Sequence, residues 1–313
     1  MTTMNRRDFL AVAAASTLPS LVLGRELVTA ERIPIVDTHQ HLWDLRKFKL
    51  AWQKEPPYSK LTRNYLLPEY ITATEGLPVV KTIYMEVDAP TEHRVTEAEC
   101  ISGLCHQQDN RLVAAVIGGR PASDHFAEYL ARFKENRCIK GVRDILFETP
   151  ERCLDPPFLR GVRLLGELGM SFDIETSATG LVHATKLAAA CRETQFILDH
   201  CGNPNIKSGD ITKWKHATAK MAKEKNVVVK ISGILSGVEK DAWGPEDLVP
   251  AIDHLWNEFG PDRMIFGSDW PVVTLKASYR QWVDALRQVV AKRSLADQRK
   301  LFHDNAVKLY DLS

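Results

Sequence analysis

The sequence contains no C-x-x-C pair, the usual frame of a structural zinc knot or a dithiol redox centre. No G-x-G-x-x-G follows its first strand-like run, which argues against a dinucleotide-binding open sheet. No run is long enough to cross a membrane: Leu10 to Leu23 is apolar but short and interrupted by Pro19. The net charge is only +1, and the one lysine-rich stretch, Lys213 to Lys225, reads as the solvated face of a helix. Nucleic acid is therefore not an expected partner. Internal repeats and low-complexity segments are also missing.

The N-terminus does carry a signal. Asn5-Arg6-Arg7-Asp8-Phe9-Leu10 is a twin-arginine pair ahead of an apolar run, and Val28-Thr29-Ala30 offers small residues for cleavage. Residues 1–30 are read as a twin-arginine export signal and residues 31–313 as one domain, so an exported, periplasmic protein is expected. Six cysteines would suit disulfides outside the cytosol. Twin-arginine export, however, carries chains already folded in a reducing compartment, so mostly free, buried thiols are expected.

The remaining chain alternates short apolar runs with stretches of helical spacing. Strands are predicted at 33–38, 79–87, 112–117, 139–143, 171–174, 196–198, 227–231 and 264–266. Helices are predicted at 68–76, 92–108, 124–136, 157–168, 181–193, 211–225, 245–259, 277–291 and 294–312. Val227-Val228-Val229 and Met264-Ile265-Phe266 are apolar without alternation, as strands covered on both faces are. Eight such strands alternating with helices predict an α/β fold, a single-domain (β/α)8 barrel, with an open doubly wound sheet as the rival. Two connections are long, 42–67 and 232–243. Each follows a strand, so both are placed over the C-terminal mouth of the barrel. The first carries Trp43, Trp52, Pro56, Pro57 and Tyr58 and is read as a lid.

Catalytic groups of a barrel gather at the C-terminal strand ends. Here those ends carry His39 and His41, Glu86, Arg143, Asp173, His200, Lys230 and Asp269. His39 and His41 are two apart on one strand and so share a face. A ring of imidazoles, carboxylates and cations in one mouth is what hydrolytic chemistry requires.

Val36-Asp37-Thr38-His39-Gln40-His41-Leu42-Trp43-Asp44, Lys140-Gly141-Val142-Arg143, Leu198-Asp199-His200, Lys230-Ile231-Ser232-Gly233 and Phe266-Gly267-Ser268-Asp269-Trp270-Pro271 together resemble the amidohydrolase superfamily. More narrowly, they resemble its amidohydrolase-2 type branch of sugar-lactone and muconolactone hydrolases. The resemblance runs from about Ile33 to Leu312. It implies a barrel, hydrolysis of a lactone by water and, in some members, a bound divalent metal. Metal-rich members have a histidine at the end of strand five and a bridging lysine on strand four. Asp173 and Arg143 occupy the ends of those strands here, so at most one ion is expected, and none is compatible with the pattern.

On this reading His39, His41, Glu86 and Asp269 are the candidate metal ligands, and the mixed N/O set suits zinc. Without metal, the same imidazoles would donate hydrogen bonds to an oxyanion. Asp269 is the expected general base, taking a proton from water and returning it to the leaving oxygen. His200 is expected to face the mouth as a second catalytic residue that stabilises charge or binds metal, whereas Asp199, by alternation, should point away. Arg143, Lys230 and Asp173 are assigned to substrate binding, the two cations to a carboxylate or an oxygen-rich ring. Trp43, Trp243 and Trp270 would wall the pocket, and Asp37 would orient His39 or His41. Metal-dependent decarboxylation of an aromatic or unsaturated acid is the alternative reaction, and a binding protein without turnover a third class. The expected partner is a small lactone; a homo-oligomer is compatible with the sequence, which gives no subunit count.

Overall fold

The computed structural model describes residues 32–107, 110–238 and 243–312, so the predicted export signal lies outside the described residues. Each apolar run becomes a strand: β1 Ile35–Gln40, β2 Val79–Met85, β3 Leu112–Gly118, β4 Ile139–Ile145, β5 Ser171–Glu175, β6 Phe196–Leu198, β7 Val227–Ile231 and β8 Met264–Phe266. They form one sheet in sequence order with every neighbouring pair parallel. The ring closes just beyond the end of β8. Asp269 N donates to the His39 carbonyl at 2.7 Å and His41 N to the Trp270 carbonyl at 2.7 Å, with Gln40 bridging Trp270. Closure explains why β1 runs to Gln40 rather than ending at 38: its last residues pair with the turn after β8. The (β/α)8 barrel is thus the fold.

The helices are α1 Leu67–Ala73, α2 Arg94–Cys105, α3 Phe126–Ala131, α4 Pro156–Glu167, α5 Leu181–Ala190, α6 Thr212–Met221, α7 Pro245–Phe259 and α8 Tyr279–Val289. Beyond them, α9 Leu295–Arg299 leads through a π-helical turn into α10 Asn305–Tyr310. Prolines open α4 and α7, where a missing N–H breaks no helical hydrogen bond. Ser278 caps α8 by accepting from Gln281 N, and the Gln281 side chain accepts from Ser278 N.

Two apolar layers result. The larger lies between strands and helices and includes Tyr84, Phe172, Phe196 and Trp282. The smaller fills the barrel itself with Val36, Ile83, Val116, Ile197 and Ile265, and is sealed by Ala306, Tyr310 and Leu312 from the C-terminal segment. One end of the barrel is therefore closed by its own chain end, leaving the opposite mouth for chemistry.

Of the cysteines, Cys153, Cys191 and Cys201 are free and buried and Cys100 is free and half-buried, as expected. Cys105 and Cys138 depart from the expectation: they form a disulfide joining the end of α2 to the entry of β4, their Cα atoms 6.4 Å apart and within bridging range. The long connection 42–67 is pinned at its base, where Trp43 and Tyr65 exchange backbone hydrogen bonds of 2.9 and 3.0 Å. No helix among the described residues is long and apolar enough to cross a membrane.

Candidate active site

β1 delivers the two imidazoles. Asp37 accepts from His39 N at 3.2 Å and Ser268 N at 2.8 Å, and from the hydroxyls of Tyr70 and Tyr279 at 2.8 and 3.1 Å. Its task is to tie the end of β1 to the turn after β8; it touches neither imidazole ring, contrary to the orienting role predicted for it. That tie sets Asp269 beside the histidines. Asp269 itself has a left-handed backbone (φ 59°), a conformation that costs energy and is concentrated at functional sites.

His41 Nδ1 lies 2.9 Å from the Met85 carbonyl, which can only accept, so Nδ1 carries the proton and Nε2 presents a lone pair. His39 is fully buried, and burial holds its pKa well below the usual value, with Asp199 opposing; the ring is neutral. Its Nδ1 faces Asp199 Oδ1 at 3.5 Å, which leaves its Nε2 as a second lone pair. The two Nε2 atoms are 3.2 Å apart and lie 3.8 and 3.4 Å from Asp269 Oδ1. Two lone pairs and a carboxylate oxygen aimed at one point call for a cation. Their spacing matches the edges of a tetrahedron around an ion bound at about 2.1 Å, roughly 3.4 Å each. His39, Asp199 and His200 also lie close enough to share an ion. Both ring nitrogens of His200 are already engaged, however, with Ser232 Oγ at 3.0 Å and Glu175 Oε2 at 3.1 Å. His39, His41 and Asp269 are the set that fits.

Glu86, predicted as a ligand, belongs to neither group. Its Oε1 pairs with Arg143 Nε at 2.6 Å and its Oε2 accepts from Asp88 N at 2.7 Å. Arg143 also meets Glu175 at 3.0 Å and Asp199 at 3.6 Å. Lys230 is wholly buried between Asp173 at 2.7 Å and Asp199 at 2.8 Å. Both cations assigned to substrate are thus committed to protein carboxylates, since burying an unpaired charge is prohibitive. One ammonium cannot neutralise two carboxylates. Burial and the neighbouring charge of Asp199 push Asp173 up to about 7, with Lys230 opposing. Asp199 stays well below the ordinary range because the Lys230 ammonium beside it overcomes its burial. Asp173 and Lys230 form the floor of the site and do not line the mouth.

The mouth is a cavity of about 520 Å³ in which His41, Arg143, Glu175, His200 and Asp269 are exposed to a ligand. His200 reaches it as expected. Burial alone would lower its imidazole, but the Glu175 and Asp269 carboxylates outweigh that and push it up to about 9. Asp199 does not point away from the barrel. His200 and Cys201 both adopt left-handed backbones (φ 51° and 57°), so the alternation fails and adjacent side chains converge. Gly233, with φ 56°, passes so close to the His200 ring that a β-carbon there would overlap it. Gly233→Ala is therefore expected to displace His200 and cut kcat roughly tenfold to a hundredfold, a loss that kinetics beside a thermal melt would separate from misfolding.

None of the three predicted wall tryptophans faces the mouth. Trp43 and Trp270 are buried, each packing edge-on against Tyr65, and Trp243 lines a separate surface hollow beside α8. Trp52 and Tyr58, both from the 42–67 connection, wall the mouth instead, as the lid reading requires. Trp52 is fixed by its indole N–H, which donates to the Val87 carbonyl at 2.8 Å. Glu175, one residue past the predicted strand 171–174, was not among the candidates; its pairing with both Arg143 and His200 makes it a member of the site.

A closed parallel barrel with imidazoles and carboxylates converging in its C-terminal mouth defines the class of molecule. The family model described as amidohydrolase matches residues 36–312, and the chain belongs to that family. It is 26% identical to an L-fucono-1,5-lactonase of Burkholderia multivorans, over 88% of this chain and 96% of that one. It is 24% identical to an L-rhamnono-gamma-lactonase of Scheffersomyces stipitis, over 89% and 98%. Among solved structures, an amidohydrolase of Burkholderia multivorans with bound HEPES superposes with a TM-score of 0.81 at 25% identity, covering 90% of this chain and all 100% of that one. A zinc-bound form from the same organism gives 0.80 at 24% identity, with the same coverage.

Proposed function

We propose that the protein is a lactonase that opens the ring ester of a sugar lactone by attack of water. The observation that carries this reading is the convergence of His39, His41 and Asp269 on one point at the base of a mouth of about 520 Å³, a volume suited to a small ligand. The lactonase names of two relatives support it.

Asp269 Oδ1 faces the imidazoles, which leaves Oδ2 to take a proton from water as the water oxygen bonds to the lactone carbonyl carbon. When the ring C–O bond breaks, the same carboxyl returns the proton to the departing oxygen. His200, held cationic by Glu175 and Asp269, offsets the negative charge that develops on the carbonyl oxygen. Arg143, already saturated by protein carboxylates, fixes Glu86 and Glu175 in place rather than receiving a substrate carboxylate, so the ring that meets it is uncharged. A divalent ion held by His39, His41 and Asp269 would act as a Lewis acid on the carbonyl. Zinc suits those donors, and a solved relative binds it. Elemental analysis of purified protein is expected to find about one divalent ion per chain and His41→Ala to lose it; equal metal in both would remove the assignment.

The twin-arginine segment supports a periplasmic location for this activity. Arg6→Lys with Arg7→Lys is expected to hold the enzyme in the cytosolic fraction, and unchanged fractionation would reject the export reading.

A further inference from the structure

The mouth continues past Tyr58. A second recess of about 220 Å³ opens there, and Tyr58, Gly233, Ser236, Asp269 and Val272 border both spaces. The two differ in charge. The carboxylates of Asp88, Glu148, Glu175 and Asp269 line the mouth, with Arg143 already paired among them. The cations Lys207 and Lys276 line the recess, and Asp269 on the shared wall is its only carboxylate among the described residues.

Lys207 is exposed on the 3-10 turn Ile206–Ser208, and Lys276 follows the turn Val272–Leu275 and is half-buried. Among the described residues neither forms an ion pair, and the Lys276 Nζ donates there to the Val238 carbonyl alone, at a long 3.4 Å. The remaining walls are chiefly apolar, with Leu235, Val273 and Leu275 among them. Two lysines bordering a chiefly apolar hollow, beside a mouth whose cations Arg143 and His200 are already paired with carboxylates, supply the positive charge that would receive an anion. Lysine point charges on flexible stems serve a tetrahedral phosphoryl group or a terminal carboxylate, whereas a planar fork would be needed for bidentate recognition.

We infer that Lys207 and Lys276 receive an anionic substituent carried outside the lactone ring, so that the preferred substrates are sugar lactones bearing a terminal phosphoryl or carboxylate group. This rests on the lactonase reading and sharpens it. The uncharged ring meets Asp269, His41 and His200, while the substituent passes Tyr58 into the recess and is unchanged by the reaction. Only the ring ester is cleaved.

The test uses the full-length enzyme and its Lys207→Ala/Lys276→Ala variant with D-glucono-1,5-lactone, its 6-phosphate and D-glucaro-1,4-lactone. For the wild type, kcat/KM is expected to be at least tenfold higher for one of the two charged lactones than for the neutral one, and which one is favoured identifies the group. The double substitution is expected to lower that ratio at least tenfold. Titration with 6-phosphogluconate, glucarate and gluconate reads the recess without turnover: the favoured anion is expected to bind at least tenfold more tightly than gluconate, and the variant to lose that advantage. Opened lactones with a ratio indifferent to the substitutions would overturn the recess and leave the lactonase standing. A binding advantage lost on substitution, with no lactone opened, would overturn the lactonase and leave the recess standing.

Discussion

Asp269→Asn is expected to lower kcat for lactone opening by roughly a hundredfold to ten-thousandfold, the contribution of a positioned general base. Asparagine matches the shape of the carboxylate but cannot take a proton from water. The backbone that places residue 269 is held independently of its side chain: its N–H donates to the His39 carbonyl at 2.7 Å, and its carbonyl accepts from Val273 N at 2.8 Å. Folding should therefore survive, and a melting temperature close to wild type would show that the loss is chemical. KM should change far less than kcat, since the proton transfer occurs on the way to the transition state and not on binding. Near-wild-type turnover by the asparagine variant would remove Asp269 from the role of base.

The largest effect on stability is expected at Lys230. Its ammonium is wholly buried and is the cation closest to both Asp173 and Asp199. Lys230→Met fills the space but leaves two carboxylates facing each other in the barrel. Breaking a buried ion pair from one side costs about 3–5 kcal/mol, which corresponds to a fall of roughly 10 °C in melting temperature for a chain of this size. Adding Asp173→Asn should recover part of the loss, because one of the stranded charges disappears.

The pH dependence has a definite sign. The folded chain holds the Asp173 carboxyl up at about 7 against an ordinary 3.8, through burial and the Asp199 charge. The stability contributed by that extra proton is full below 3.8 and is lost as the pH rises through about 7. Asp173→Asn alone should therefore gain on wild type as the pH is raised across that window. A constant difference between the two melting curves would contradict the assignment of the proton to Asp173.

All eight strands were legible as short, largely apolar runs between helical stretches, most plainly in Val227-Val228-Val229 and Met264-Ile265-Phe266, which are apolar without alternation as strands covered on both faces are, and the first βα connection was legible as a lid from its length and aromatic content. Individual contacts were less so. Glu86 reads as a ligand because it ends β2, but Arg143 on β4 claims it at 2.6 Å, and sequence gives no measure of which neighbour a carboxylate will choose. Alternation put Asp199 outside the barrel, and two successive left-handed residues bring it in. A non-glycine left-handed pair carries no sequence signal strong enough to foresee. Trp43 and Trp270 were placed in the wall because tryptophan often lines pockets; the same apolar bulk equally fills the space behind β1, where they lie against Tyr65. Trp52 was visible as part of the lid, but its separation from Trp43 in role depends on which indole finds a carbonyl at the rim.

Product analysis in oxygen-18 water is the most direct measure of the central claim, that His39, His41 and Asp269 together direct water to a lactone carbonyl. A hydroxyacid carrying a single heavy oxygen in its new carboxyl group is the expected product, at a rate that collapses in Asp269→Asn. Release of carbon dioxide from an aromatic or unsaturated acid, with sugar lactones left intact, would contradict it.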